Sequence, residues 1–124
     1  MYMKIALSIS ALFIATCSYS QTQPKPADSL YIVTYTTGSA WDHSKSTDQP
    51  YFKEHGARLG QLRKDGVIKF GARHGDKGSI VIVAKNLKEA KDIVNADVAV
   101  TNNLFHVDIQ KLNIFYEGCL ERPK

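Results

Sequence analysis

The chain has 124 residues, 44% of them hydrophobic and 23% charged, with a net charge of +4. That composition supports one modest core and leaves too little chain for two comfortable domains. The basic side chains are scattered, Lys85, Lys88 and Lys91 being mixed with Glu89 and Asp92, whereas a nucleic-acid surface gathers Lys and Arg on one face with aromatic residues between them.

The N-terminal segment reads as a secretory signal peptide. Met1 to Lys4 carry one positive charge, and Ile5 to Ala15 form an apolar run, interrupted by Ser8 and Ser10, that is too short to span a bilayer. Ser18 and Ser20 put small residues at the third and first positions before Gln21, so cleavage is expected after Ser20, giving a periplasmic or secreted protein. A second reading takes Ile14-Ala15-Thr16-Cys17 as a lipoprotein box, which would tether the domain through a lipid on Cys17 without a spanning helix. Cleavage removes Lys4 and Cys17; the 16 basic side chains less Lys4 then face 12 acidic ones, and the net charge falls from +4 to +3. Cys119 is left alone, so no internal disulfide forms in the mature chain.

Residues 21–29 begin QTQPKPAD, with two prolines and no apolar cluster, and read as a linker to a domain over residues 30–124. Leu30 to Thr36 is rich in β-branched and aromatic residues, with Tyr31, Val33 and Tyr35 on one face, and predicts the first strand. Thr37 to Thr47 is a polar loop holding Gly38, Trp41 and Asp42. It leads to Ser46, Thr47 and Asp48, all good helix caps, with Pro50 suited to a first turn. The first helix is expected to run to Lys64, where Asp65-Gly66 ends it. Val67 to Ala72 and Ser79 to Lys85 predict two strands of a hairpin joined by the turn Arg73 to Gly78. Asn86, with Glu89 three residues on, caps a second helix whose inner face is Leu87, Ala90 and Val94; three residues further the same stripe reaches Asp97. In the last strand Phe105, Val107 and Ile109 alternate with polar residues, then the apolar set slips to Leu112, Ile114 and Tyr116, which predicts a bulge near Gln110 and Lys111.

The order β-α-β-β-α-β is that of the ferredoxin-like split unit, an α+β fold with a four-stranded antiparallel sheet and both helices on one face. The other face would stay uncovered. Alternating apolar residues there predict a homodimer packed sheet to sheet.

One polar residue interrupts the inner stripe of the first helix. Phe52, His55, Leu59 and Leu62 step by three, four and three residues, so the His55 imidazole shares the apolar face. Burial disfavours a charged imidazole and a neighbouring carboxylate favours it, an opposition that suits a general base.

These segments resemble the YCII-related (YciI-like) domain proteins. The likeness covers roughly Tyr31 to Tyr116. It rests on Gly38-Ser39-Ala40-Trp41-Asp42, Gln49-Pro50-Tyr51-Phe52 with Glu54-His55, Leu62, Asp65-Gly66, Gly71, the strand Ile80 to Val83, Glu89-Ala90 and Asp97. Two positions depart from it: the family usually has Asp-Pro where this chain has Asp97-Val98, and Gly-Pro where it has Gly71-Ala72. The resemblance implies a ferredoxin-like domain forming a dimeric α/β barrel, with His55 and Asp97 as the catalytic pair. It also implies proton abstraction next to the carbonyl of a small carbonyl or lactone substrate.

In that reading Asp97 accepts a hydrogen bond from one ring nitrogen of His55 and the other nitrogen takes the proton. The competing reading has His55 as a satisfied core residue and Asp97 capping the end of the second helix. Trp41 and Asp42, with Tyr31 or Tyr35, are candidates to wall a substrate pocket, and Arg73, His74 and Asp76 to hold an anionic group. His43, His55, His74 and His106 show no i, i+4 ligand pair and no Cys motif accompanies them, so neither metal nor cofactor is expected. A non-catalytic small-ligand-binding dimer is the alternative function, and a pocket in which His55 and Asp97 do not meet would favour it.

Overall fold

The computed structural model describes residues 28–123. The expected signal peptide, including Cys17, and residues 21–27 of the expected linker lie outside the described residues. The elements in chain order are β1 (Ser29–Thr37), α1 (Phe52–Lys64), β2 (Ile68–His74), β3 (Lys77–Ala84), α2 (Leu87–Asn95), α3 (Val98–Thr101) and β4 (Phe105–Leu112). Ser29, placed in the linker by the sequence, already pairs with Ala84 as part of β1.

All strand pairs are antiparallel, and the open sheet runs in the order β2-β3-β1-β4. This is an α+β arrangement compatible with the ferredoxin-like split unit. The core lies between the sheet and the helices. Tyr31, Val33 and Tyr35 of β1 alternate inward with Ile80, Ile82 and Ala84 of β3, and Ala90 and Val94 of α2 close over them. Leu87, expected on that inner face, is 42% exposed, because the helix has only just begun there.

Four local expectations are corrected. The polar run Ser46 to Asp48 does not cap α1; the chain enters it through Tyr51 in the left-handed region, φ 66°, with no side-chain cap. The β2–β3 turn is tighter than expected, since His74 pairs with Lys77 and leaves only Gly75 and Asp76 between them. Gly75 takes φ 58°, the positive value that the twist of such a hairpin requires. The bulge lies between Ile68 and Phe70 in β2, and the β1–β4 register is regular from Thr37–Phe105 to Leu30–Leu112. The slip in the apolar pattern after Ile109 marks the end of the strand instead: Ile114, Phe115 and Tyr116 follow β4 as exposed residues. Finally, Asp97 does not end α2 but begins α3, a single turn too short to leave a periodic trace.

Asn86 behaves as its sequence suggests, its side chain accepting from Glu89 N at 2.9 Å. The Glu89 carboxylate returns to Lys85 N rather than to Asn86 N, one residue short of a full capping box. Cys119 is exposed. No helix among the described residues is long and apolar enough to cross a membrane.

Candidate functional site

His55 sits in the first turn of α1, its N–H bonded to Tyr51 O at 2.9 Å. This places the imidazole under the helix, 9% exposed, against three aromatic rings. Phe105 at the start of β4 lies 4.7 Å away between centroids, Tyr35 at the end of β1 5.3 Å in a T-shaped contact, and Phe52 6.5 Å. These rings pack against the imidazole and fix its orientation.

His55 Nδ1 lies 2.6 Å from Asp97 Oδ2 across 42 residues of sequence. Asp97 is 2% exposed, and its other oxygen, Oδ1, accepts from Ala99 N at 2.9 Å as the cap of α3. Asp97 is therefore the partner of His55, and it caps the start of α3 rather than the end of the second helix as the competing reading has it. Burial by itself pushes the Asp97 carboxyl up. It is overcome by the hydrogen bonds from His55 and from Ala99 N and by the positive charges of His55 and Arg58, so the group stays below the usual carboxylate range. An ionised carboxylate only accepts hydrogen bonds, so the neutral form of His55 must carry its proton on Nδ1 and leave Nε2 with a free lone pair.

Arg58, one turn after His55, donates from Nη2 to Ile93 O at 2.8 Å and so ties α1 to the end of α2. Its Nε is buried without a partner among the described residues.

His55 lines a cavity of about 370 Å³, within the range of small-molecule sites. The aromatic side is Tyr35, Trp41, Phe52 and Phe105; the opposite side is the β2–β3 hairpin with Gly71, Ala72, Arg73, Asp76, Lys77 and Gly78. Asp97 lies behind His55 and does not line it. Of the residues expected to bind substrate, Tyr35, Trp41 and Arg73 reach this cavity and Asp42 does not. The Asp42 carboxylate turns into its own loop, where Oδ1 accepts from Ser44 N at 2.9 Å and from Ser44 Oγ at 2.6 Å. Tyr31 is a core residue, 4% exposed. His74 Nε2 meets Ser79 Oγ at 2.8 Å, while Asp76 stands at the cavity rim. Burial, followed by the Asp97 charge, pushes the Tyr35 phenol up, so it stays neutral and able to donate.

Two parts of the site have no simple trace in the sequence. Phe105, which contacts His55, Tyr35, Trp41 and Phe52, reads from its pattern only as the first inward residue of a strand. Gln49, 7% exposed, holds the Trp41 loop closed: Oε1 accepts from Asp42 N at 3.0 Å, and Nε2 donates to the carbonyls of Asp42, Lys45 and Ser46. A glutamine in a polar loop gives no such signal by composition. Replacing Gln49 by alanine leaves these backbone groups to water, and the expected loss is about 1–3 kcal/mol with increased mobility of Trp41. Chemical denaturation and Trp41 fluorescence anisotropy check both.

Among the described residues no three His, Cys, Asp or Glu side chains group so as to hold a metal ion. No protein-family model matches the chain, and a search of curated proteins also gives no match.

Proposed function

We propose that this protein is an exported acid–base catalyst of the YciI-like kind, acting on a small carbonyl or lactone substrate with His55 as the base and Asp97 as its positioning partner. The observation that carries the reading is the buried 2.6 Å contact between His55 Nδ1 and Asp97 Oδ2, beside a cavity that His55 itself lines.

The substrate's carbonyl-adjacent C–H bond breaks, its proton passes to His55 Nε2, and the electron pair moves to the carbonyl oxygen as an enolate. Asp97 holds the ring in the tautomer that makes Nε2 the acceptor and stabilises the imidazolium that forms. The neutral Tyr35 phenol is the cavity's donor for the enolate oxygen. Return of the proton from His55 to another atom of the enolate completes an isomerisation.

The expected homodimer belongs to the same proposal. The face of the sheet turned away from the helices carries Leu30, Ile32, Val81, Val83 and Leu112, with Phe70 at 42% exposure. A second copy packed sheet to sheet would cover them.

The test is deuterium incorporation from D2O into a panel of small lactones and keto acids, followed by NMR. Exchange should fall by about 10²–10⁴ in His55→Gln and in Asp97→Asn, with both variants folded. Undiminished exchange in either variant ends the dyad reading and leaves a ligand-binding domain.

A further inference from the structure

We infer that the substrate of this site is a small monocarboxylate, held at the hairpin end of the cavity by Arg73 while its reacting carbon lies against His55. The inference deepens the acid–base reading and rests on it.

The argument begins with the hairpin. Arg73 pairs with Gly78 across β2 and β3, and two residues back Gly71 pairs with Ile80. Ile80 is an inward residue of β3, so strand alternation puts Gly71 and Arg73 on the helix side of the sheet, the side that holds His55. The small residues Gly71 and Gly78 open space at that wall, and Arg73 borders it at the turn, whereas Lys77, paired with His74, stands on the other face by the same alternation and meets the cavity only at the turn. Charge is distributed unevenly over the cavity. Apart from His55 and Tyr35, the ionisable side chains among its lining residues are Arg73, Lys77 and Asp76, all on the hairpin, and of the two basic ones Arg73 is on the helix side of the sheet. None of the three forms an ion pair within 4.0 Å among the described residues. The opposite wall is aromatic, and its ionisable side chains are those of His55 and the neutral Tyr35 phenol. Such a cavity is polarised, aromatic on one side and charged on the hairpin side.

A guanidinium presents paired N–H donors in the plane that a carboxylate accepts. One guanidinium with Asp76 near it matches a monocarboxylate better than a phosphate dianion. A ligand spanning the cavity with its carboxylate at the hairpin presents its far end, the carbonyl and the adjacent C–H, to the aromatic wall and Nε2 of His55. Proton abstraction then proceeds as above, the carboxylate keeping its charge throughout.

Levulinate and methyl levulinate make the matched probes, since both carry the same ketone and differ in the charge at the other end. Deuterium exchange next to the ketone is measured across concentration with the mature protein, with Arg73→Gln and His55→Gln, and with Lys91→Gln as an exposed charge change on α2 outside the cavity. The acid should have a KM lower than the ester by about tenfold or more, the worth of a charge-assisted contact. Arg73→Gln should collapse that ratio and Lys91→Gln should preserve it. Equal KM for the two probes, a ratio indifferent to Arg73, tighter competition by inorganic phosphate than by levulinate, or no saturation by either probe would each overturn the carboxylate assignment. The acid–base reading fails on a separate arm: exchange that persists undiminished in His55→Gln refutes the base. An Arg73-dependent preference for the acid, read from chemical shifts of the Trp41 indole, would still stand in that case.

Discussion

Asp97→Ala should lower the stability of the domain by about 2–4 kcal/mol, the sum of a lost helix cap and of a buried imidazole donor left without its acceptor. For a domain of this size that is a fall in Tm on the order of 10 °C or more, and thermal unfolding followed by circular dichroism measures it. The substitution removes two bonds at once, because Oδ2 faces His55 Nδ1 and Oδ1 receives Ala99 N. Asp97→Asn separates them. If the amide oxygen keeps the cap on Ala99, the amide N–H points at His55 Nδ1, and the ring must then accept there and move its own proton to Nε2. The variant should therefore keep most of its stability and lose its base. The pair also sets a pH dependence. The Asp97 carboxyl is held below its unfolded value of 3.8, so its contribution is fully present above that value and is lost as pH falls through the lower, folded value. The stability gap between the wild type and Asp97→Asn should accordingly shrink as acidification takes the pH below 3.8, a comparison that urea titrations at several pH values make directly.

A second large effect is expected at Gly38. A Cβ built there would lie 2.1 Å from Asn103 O and 2.8 Å from Asn103 C, both backbone atoms. The close approach is not incidental: Gly38 N donates to Leu104 O at 2.8 Å and Ala40 N to Asn103 O at 3.0 Å, bonds that fasten the Trp41 loop to the α3–β4 junction. Asn103 itself stands at φ 59° and Leu104 is 1% exposed, so neither side can yield without disturbing the core. Gly38→Ala should cost about 3 kcal/mol or more, and because it pries the loop from the junction it should also degrade ligand binding at the Trp41 wall. Gly56→Ala is the contrast. Its added methyl meets nothing within 4 Å in the middle of α1, and it should stabilise by roughly 0.5–1 kcal/mol through helix propensity and a less flexible unfolded chain. A Gly38→Ala protein as stable as the wild type would mean the loop is not anchored in this way.

The strands and the two longer helices were legible because their signals are periodic. Tyr31, Val33 and Tyr35 alternate as a half-buried strand must, and the Phe52, His55, Leu59, Leu62 stripe turns His55 inward at helical spacing. His55 and Asp97 were also identified, but their contact was not to be had from spacing, since it spans α1 and the turn after α2. What escaped was local and aperiodic. The single turn of α3 repeats nothing, and its one trace, an aspartate placed to cap Val98-Ala99-Val100-Thr101, was open to reading as the end of α2. The entry to α1 through a left-handed Tyr51 has no side-chain signature, whereas three plausible caps stood just upstream. The apolar residues after Ile109 imitate a bulged strand although the ladder ends at Leu112. Asp42 is a polar residue next to a cavity tryptophan, and only its bonds to Ser44 show that it organises the loop rather than the cavity.

The central claim is that Asp97 fixes His55 with its proton on Nδ1 and its Nε2 free. Ring nitrogen-15 chemical shifts of His55, recorded with histidine-labelled protein at a pH where the ring is neutral, report this tautomer directly. The expected spectrum has a pyrrole-type Nδ1 and a pyridine-type Nε2 in the wild type, and the reverse in Asp97→Asn. A protonated Nε2 in the neutral wild-type ring, or a tautomer unchanged by Asp97→Asn, would contradict it.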